Sequence, residues 1–365
     1  MLLAASLIVR DEAEHLERCL GSLVGVVDEI VVVDTGSTDR SVDVARSFGA
    51  RVLHRAWDSD FSAARNLGLD AVQADWVLYI DADEHLRPIT RAEVERDLAD
   101  RSRHVAYRVL LQARRAMTPY REYRLWRSRP DIRFWGVIHE SIVPAIQRIA
   151  EHEGLAIGRS DLYLEHEGYE GDLGPKHRRN LPLLRRQVEA DPDRIYLWGE
   201  IGRSHAGLGQ IDEATAAWEQ GVARLRRRGP REATDCLVMV DLIAAGAESG
   251  RPDAALVAEA DALFPGNLPV LWAGAIDAGA RADHAEVVRR LDLVLAADPS
   301  RLADEALAVD ARIVGHWALH ARGVARFHLG DFAGALGDLA AAEQAAPEVE
   351  EYGVKRRLAE VRAGR

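Results

Sequence analysis

The sequence predicts an α/β domain followed by an all-helical solenoid, with the division near residue 175. Over the first 85 residues, short apolar runs alternate with helical patterns, which indicates a mostly parallel sheet. After residue 175, alanine and leucine become frequent, β-branched runs stop and pairs of helical segments recur. We therefore expect residues 1–175 to form the α/β domain, 176–194 a linking helix and 195–365 about four irregular helical repeats.

The strands of the predicted sheet are short apolar runs. A run of about four to eight apolar residues with polar residues on both sides is typical of a buried strand. The strands are predicted at residues 2–9, 29–34, 51–53 and 76–80, with helical patterns between them. Ligands of such sheets bind at the carboxyl ends of the strands, so the residues that follow these runs are the first candidates for a site.

Charged side chains follow three of these strands. Arg10 comes after the first strand, Asp34 ends the second, and Asp81 and Asp83 follow the fourth. Asp81 and Asp83 alternate along an extended backbone, so both side chains fall on one side of it. There they can share a divalent cation, since carboxylate oxygens suit Mg²⁺ or Mn²⁺. The alternative for an isolated Asp-x-Asp is an acidic turn with no ligand.

The helical part shows a recurring pattern of helix pairs. Residues 195–228 fit the tetratricopeptide pattern of about 34 residues, and residues 316–348 fit it again. Residues 236–265 and 268–299 are degenerate copies. Repeats of this kind bury a continuous core only when they stack on one another, so we expect one solenoid.

Four linked motifs give the sequence a family resemblance. They lie at residues 6–12, 32–39, 60–66 and 81–83. Their order and spacing resemble family-2 glycosyltransferases, and the resemblance covers roughly residues 1–180. It implies an N-terminal GT-A domain, which is α/β and Rossmann-like with a mostly parallel sheet, before the all-α tetratricopeptide-type solenoid. Residues 124–127 and 136–140 resemble the subgroup with a tetratricopeptide tail, to which sublancin-type peptide S-glycosyltransferases belong.

The resemblance implies a metal-dependent, inverting glycosyltransferase that uses a nucleotide diphosphate sugar, with a UDP-sugar favoured. Asp83 would be a direct ligand of Mn²⁺ or Mg²⁺, and Asp81 would reach the metal or the ribose through water. His166 would complete the metal site, or else be a structural histidine. Asp34 would read the base by accepting the uracil imide N–H. The metal would neutralise the diphosphate leaving group as a Lewis acid.

Further residues are expected around the same donor. They are Ser6, Ile8, Arg10, Arg65, Lys176 and Arg179. Arg65 would face the nucleotide or brace Asp34, unless it is a solvated helix residue. Lys176 and Arg179 follow three glycines, Gly168, Gly171 and Gly174, and would close over the diphosphate as a lid. The alternative is that they form the solvated first turn of the linking helix.

The segment 134–140 should shape the acceptor side. An inverting transfer needs a base that takes the proton of the acceptor. Glu140 is the first candidate, with His139 as its neighbour or as a second candidate. Trp135 can stack on a sugar face. The structural alternatives are a loop fixed by the hydrogen bonds of His139 and Glu140, and a core position for Trp135.

Composition limits the function classes. The formal net charge of −12 argues against a general nucleic-acid binder. Cys19 and Cys236 are far apart and have no metal or redox spacing, so we expect small buried residues. The apolar run at residues 2–9 is too short to span a bilayer and stops at Arg10. We expect no membrane span and a cytoplasmic location.

Two function classes remain after these exclusions. In the first, the enzyme transfers sugar to a peptide, protein or small-molecule acceptor, and the helical repeats recruit the acceptor or pair two subunits. In the second, the chain is a tetratricopeptide adaptor whose glycosyltransferase domain is inactive or senses a nucleotide. A nucleotidyltransferase would need a glycine-rich loop with Arg or Lys after the first strand, and this sequence lacks one.

Overall fold

A computed structural model describes residues 1–114, 116–166, 173–298 and 307–364, and within these ranges an eight-stranded sheet is followed by paired helices. The strands are β1 (Leu3–Val9), β2 (Glu29–Asp34), β3 (Arg51–His54), β4 (Trp76–Tyr79), β5 (Glu84–Leu86), β6 (His104–Gln112), β7 (Tyr120–Arg127) and β8 (Ala156–His166). Their order across the sheet is β3-β2-β1-β4-β7-β6-β8-β5. The first four strands pair in parallel, as expected, whereas β7 runs antiparallel to both of its neighbours and β5 runs antiparallel to β8.

Helices cover the sheet and then form the solenoid. The helices of the α/β part are α1 (Ala13–Leu23), α2 (Ser41–Ser47), α3 (Phe61–Ala71), α4 (Arg91–Asp97), α5 (Val143–Glu153) and α6 (Gly174–Ala190). Those of the solenoid are α7 (Ile195–Gly207), α8 (Ile211–Arg228), α9 (Leu237–Glu248), α10 (Ala254–Leu263), α11 (Leu268–Ala280), α12 (His284–Leu295), α13 (His316–His328), α14 (Phe332–Ala345) and α15 (Glu350–Arg362). The pairs α7–α8, α9–α10, α11–α12 and α13–α14 coincide with the four predicted repeats, so the fold class is confirmed.

The first repeat shows why a glycine is needed between paired helices. A Cβ atom on Gly202 of α7 would lie 2.1 Å from Nε1 of Trp218 on α8. Only a residue without a side chain therefore lets the Trp218 ring pack against α7. The resulting core continues into the second repeat through Val238 and Met239 of α9, which are both buried.

The register of the parallel strands brings the candidate residues to one edge. β1 is buried along nearly its whole length because it lies between β2 and β4. Val9 of β1 is opposite Asp34 of β2. The loops after these strands are joined: the backbone N–H of Thr38 donates to Asp11 at 2.6 Å, and that of Asp11 donates to Ser37 Oγ at 3.0 Å. These bonds fix one rim of a crevice at the carboxyl ends of the strands.

The chain beyond β4 departs from the sequence prediction. The predicted strand at 76–80 ends at Tyr79, and the three-residue strand β5 follows after a turn. β5 pairs with β8 so that Glu84 is opposite His166. This pairing brings Asp83 next to His166, although the two residues are 83 positions apart in the sequence. No local sequence pattern predicts the contact.

The helical part is joined to the α/β part at two places. At the first, Ile138 packs with Leu184 of α6 and with Leu197 and Ile201 of α7. At the second, the loop between β6 and β7 pairs with the segment before α13, where the N–H of Thr118 donates to the carbonyl of Val309 at 2.7 Å. The solenoid is therefore bound to the domain at its first helix and again just ahead of α13.

Two expectations from composition can be compared with the structure. Cys19 and Cys236 are free and buried, as expected. Among the helices given above, none combines the length and the apolar character needed to cross a membrane.

Candidate active site

Asp81 lies at the centre of a buried network of ion pairs just beyond β4. Its Oδ1 accepts a hydrogen bond of 2.9 Å from Arg65, and its Oδ2 accepts one of 3.1 Å from the hydroxyl of Tyr79. The guanidinium groups of Arg65 and Arg124 both pack over the Tyr79 ring, 4.2 and 4.1 Å from its centre. Burial acts to raise the pKa of Asp81, but the two arginines outweigh it and lower that pKa to about 2. Asp81 is therefore an anion that holds this network together.

Arg124 is the second centre of the network. It donates two hydrogen bonds to the carboxylate of Glu84, at 3.1 and 3.0 Å, and one of 2.6 Å to Glu122. Glu84 in turn accepts the backbone N–H of Asp81 at 2.9 Å, which fixes the turn that carries Asp83. Sequence reasoning did not assign a site role to Arg124, Glu84 or Tyr79. There was no clear signal in the sequence, because β7 carries three arginines and its pattern does not mark Arg124 as the buried one that needs acidic partners.

Asp83 and His166 form the pair that could hold a metal. Nε2 of His166 lies 2.9 Å from Oδ2 of Asp83. Burial acts to lower the pKa of His166, but the hydrogen bond and the charge of Asp83 outweigh it, so that pKa is raised. Nδ1 of His166 is buried and has no hydrogen-bond partner in the part of the chain that the structure describes.

The residues at this place fit a divalent cation with two protein ligands. Two ligand atoms that lie at right angles around Mg²⁺, each about 2.1 Å from it, are about 3 Å apart, which matches the Asp83–His166 distance. Asp81, which was expected to reach the metal or the ribose through water, has its two oxygens bonded to Arg65 and Tyr79. Across the four described ranges, no group of three or more His, Cys, Asp or Glu side chains is arranged to hold a metal. Phosphate and water oxygens would supply the other ligands, as is usual for Mg²⁺.

Asp34 is buried at the end of β2. Its carboxylate accepts hydrogen bonds from the N–H groups of Ser37 and Gly36, at 3.0 and 3.3 Å, and lies 3.2 Å from Nδ1 of His54. Burial acts to raise the pKa of Asp34, but these bonds, led by Ser37, outweigh it and lower the pKa. Arg65 does not brace Asp34, as one expectation had it, because Arg65 pairs with Asp81 and Glu140 instead.

Three of the residues expected in the donor pocket lie together. Ser6, Ile8 and Arg65 line one small pocket, with Tyr79 and Phe134 on its other side. Nη1 of Arg65 is buried without a hydrogen-bond partner among the described residues. Arg65 therefore brings a cationic group with one unpaired N–H to a pocket of about 10 Å³, which has room for a single water molecule.

Arg10 and Arg179 are within electrostatic range of each other. Burial lowers the pKa of Arg179, and the charge of Arg10 lowers it further, while Glu12 opposes both. Burial and then the charge of Asp83 raise the pKa of Glu12. Glu12 therefore senses both Arg179 and the candidate metal ligand Asp83.

Lys176 and Arg179 belong to the first turns of α6, which begins at Gly174. Lys176 lies close enough to His139 to lower the pKa of that imidazole. The other two glycines of the expected hinge, Gly168 and Gly171, lie outside the described residues. The lid therefore stays a prediction, although Lys176 lies within electrostatic range of His139.

The two candidate bases have different surroundings. The carboxylate of Glu140 accepts a hydrogen bond from Nε of Arg65, and the Glu140 side chain is only 9% exposed. Nε2 of His139 lies 3.6 Å from a carboxylate oxygen of Glu200, and its ring packs edge-on against Tyr196 with 5.3 Å between centres. Glu140 is therefore held by the α/β domain, whereas His139 faces α7 of the solenoid.

Trp135 is exposed rather than buried in the core. Its side chain is 51% exposed, while its backbone forms a two-bond bridge with Ser141. The next residue, Gly136, has a φ of +105°, and a Cβ atom there would lie 3.1 Å from the side chain of Gln187. An exposed tryptophan on a loop fixed in this way is available for stacking on a ligand.

Comparison with known proteins bears on the identity of both parts. Residues 7–139 match glycosyl transferase family 2. A TPR repeat-containing protein of Synechococcus elongatus is 38% identical over 229 residues, which cover 60% of this chain and 56% of that protein. An uncharacterized glycosyltransferase of Rickettsia bellii is 34% identical over 111 residues, or 30% of this chain and 37% of that protein. The SPbeta prophage-derived glycosyltransferase SunS of Bacillus subtilis is 24% identical over 254 residues, or 65% of this chain and 57% of that protein.

These matches span between 37% and 57% of the length of the three relatives. The family match begins within β1 and contains β2 to β4, the Asp81–Asp83 turn and the loop up to His139. The match to the TPR repeat-containing protein agrees with the helix pairs that begin at Ile195. Residues 7–139 are therefore similar to glycosyl transferase family 2, and a solenoid of tetratricopeptide-type helix pairs follows them from Ile195.

Proposed function

We propose that this chain is a metal-dependent, inverting glycosyltransferase that moves a sugar from a nucleotide diphosphate, with a UDP-sugar favoured, to a peptide, protein or small-molecule acceptor. The observation that carries the proposal is the 2.9 Å pair of Asp83 and His166 at the carboxyl edge of a family-2 domain. A carboxylate oxygen and an imidazole nitrogen would together hold Mn²⁺ or Mg²⁺. When bound, the ion would neutralise charge on the diphosphate as it leaves.

The arrangement of Arg10 and Arg179 supports a diphosphate site. The charge of Arg10 lowers the pKa of Arg179, so the two like charges repel each other. An anion between them would remove that repulsion and would gain charge-assisted hydrogen bonds. The diphosphate would then lie between the arginines and the Asp83–His166 pair, with Lys176 on the same side as His139.

Asp34 would set the preference for uracil. Its carboxylate is ionised and already held in place by Ser37, so it is ready to accept an imide N–H. Ser6 and Ile8 would lie beside the same ligand, because both are on β1, which pairs with β2 up to Asp34. A cytosine ring has no N–H at the corresponding position, so Asp34 would bind it less tightly than uracil.

Asp34→Ala should weaken binding of UDP more than binding of pyrophosphate, because the carboxylate would contact only the base. Losing one hydrogen bond to a charged group costs about 1.5–3 kcal/mol, which is roughly a ten- to hundredfold rise in Kd. Isothermal titration calorimetry with both ligands in Mn²⁺ measures the difference. Ser37→Ala is the matched control, since it disturbs the same turn but keeps the Asp34 carboxylate. Equal losses for both ligands would show that Asp34 acts only through the fold of the turn.

A screen of sugar nucleotides by thermal unfolding tests the proposal as a whole. A ligand at one hundred times its Kd stabilises a protein by about 2.7 kcal/mol. We expect UDP and one or more UDP-sugars to raise Tm in Mn²⁺ or Mg²⁺ and to have little effect in EDTA. The stabilising UDP-sugar should then be consumed with release of UDP, and NMR of the product should show an inverted anomeric configuration.

Two outcomes of the screen would contradict the proposal. Stabilisation without any turnover would favour the adaptor with a nucleotide-sensing domain. No stabilisation by any sugar nucleotide with either metal would exclude donor binding altogether.

A further inference from the structure

The backbone at His139 has a conformation that the solenoid helps to impose. Its φ is +47°, in the left-handed region that residues other than glycine rarely adopt. Nη1 of Arg194, just before α7, donates to the His139 carbonyl at 2.9 Å. Ile138, the preceding residue, is buried against Leu197 and Ile201 of α7. Strained residues of this kind persist where the surroundings fix them, and they cluster at functional sites.

A chain of charges from the solenoid ends at the His139 imidazole. Oε2 of Glu200 lies 3.6 Å from Nε2 of His139, and the other oxygen of Glu200 accepts a hydrogen bond of 2.9 Å from Arg203. Arg203 also donates to Asp241 of α9 at 2.8 Å. Glu200 is therefore held in place by the first and second repeats. Glu200 places an anion 3.6 Å from Nε2, which favours the neutral tautomer with the proton on Nε2 and the lone pair on Nδ1.

The same part of α7 faces the edge of the sheet. Tyr196 is close enough to Tyr120 of β7 for the two phenols to affect one another, and Tyr120 in turn senses the charges of Glu122 and Arg124. Tyr196 also contacts the His139 ring. One side of the crevice is thus formed by β7 and α7 together, with His139 between them.

The two candidate bases, Glu140 and His139, differ in the charged groups that surround them. The Glu140 carboxylate is bonded to the Arg65 guanidinium, so one of its two oxygens already has a hydrogen-bond donor. Burial lowers the pKa of His139, and Arg194 and Lys176 add to this effect, while Glu200 and Glu140 oppose it. His139 is therefore neutral near pH 7 and has a lone pair to offer.

We propose that His139 takes the proton of the acceptor, that Glu200 positions its imidazole, and that α7 of the solenoid is one wall of the acceptor site. This inference rests on the proposed function. The acceptor oxygen or sulfur forms a bond to the anomeric carbon and gives its proton to Nδ1 of His139. The bond from the anomeric carbon to the diphosphate oxygen breaks, and the diphosphate leaves with the electron pair.

The test uses the full chain, Mn²⁺ and the UDP-sugar that stabilises the parent most, with water as the acceptor and UDP release as the readout. His139→Gln should lower kcat by about 10²–10⁴-fold, the usual range for loss of a general base. Glu200→Gln should have a smaller effect on kcat and should move the acidic limb of the pH profile of kcat/KM to lower pH. The reason is that the imidazolium loses its nearest anion, while Glu140, Arg194 and Lys176 are unchanged.

Controls separate this role from a loss of fold or of donor binding. Glu219→Gln removes an exposed acid from the same repeat and should leave the rate and the profile unchanged. UDP affinity in calorimetry should be the same in all three variants and the parent. A parental rate for His139→Gln, or an unmoved acidic limb for Glu200→Gln, would overturn this inference alone. Failure of the parent to bind UDP or to turn over would overturn the proposed function, and this inference with it.

Discussion

Replacing Arg124 by methionine should destabilise the protein by about 3–5 kcal/mol, because it breaks a buried ion pair from one side. Arg124 is 5% exposed, and its main partner Glu84 is 2% exposed. Without the guanidinium, the Glu84 carboxylate would stay buried with no cation beside it, and Asp81 would lose one of its two arginines. Urea unfolding followed by circular dichroism measures the loss of stability.

Two further variants make the Arg124 prediction specific. Arg129 also has two acidic partners, Asp131 and Glu153, but all three side chains are partly exposed. Arg129→Met should therefore cost only about 0–1 kcal/mol. Adding Glu84→Gln to Arg124→Met should restore part of the stability, because it removes the unpaired charge. Equal losses for the Arg124 and Arg129 variants would mean that the buried network does not stabilise the fold.

Asp83→Asn should abolish metal-dependent binding of UDP and lower turnover by about 10³-fold or more, since metal stabilisation of a leaving group contributes several kcal/mol. The fold should be intact, because Asp83 is about one-third exposed and its pair with His166 lies at the crevice surface. Calorimetric titration of UDP with Mn²⁺ and with EDTA measures the first effect, and UDP release measures the second.

The matched control for Asp83 is Asp70→Asn. Asp70 is an exposed acid on α3 that pairs with Arg133, away from the strand ends, and its loss should change neither binding nor rate. If the Asp83 variant transferred sugar at the parental rate, the proposed metal role would be wrong.

The parts of the fold that follow local patterns were predictable from the sequence. Apolar runs gave β1 to β4 with ends correct to within two residues, because a buried parallel strand has to be apolar nearly throughout. The helix pairs were found in the same way, since each repeat has to present an apolar face to the next. The three-residue strand β5 was not predictable, because its pairing with β8 depends on residues about 80 positions away.

The site was predictable only in part, for the same reason. The sequence motifs named Asp34, Asp81, Asp83, Glu140 and His166, but a motif does not say which of them are partners. Arg65 binds Glu140, which is 75 positions away in the sequence, and Arg124 binds Glu84, which is 40 positions away. The contact between His139 and Glu200 joins two domains and follows from no motif in either.

The attachment of the solenoid at two points has a mechanical consequence. One attachment is at α7, through Ile138 and Arg194, and the other is the backbone pairing of Thr118 with Val309 ahead of α13. The solenoid thus contacts the domain at its first helix and again ahead of α13, and the repeats between these points determine how far apart the two contacts lie. A polypeptide that changes the curvature of these repeats would act on the chain just before β7, the strand that carries Arg124. Because Arg124 pairs with Asp81, binding to the repeats would then change the surroundings of Asp81.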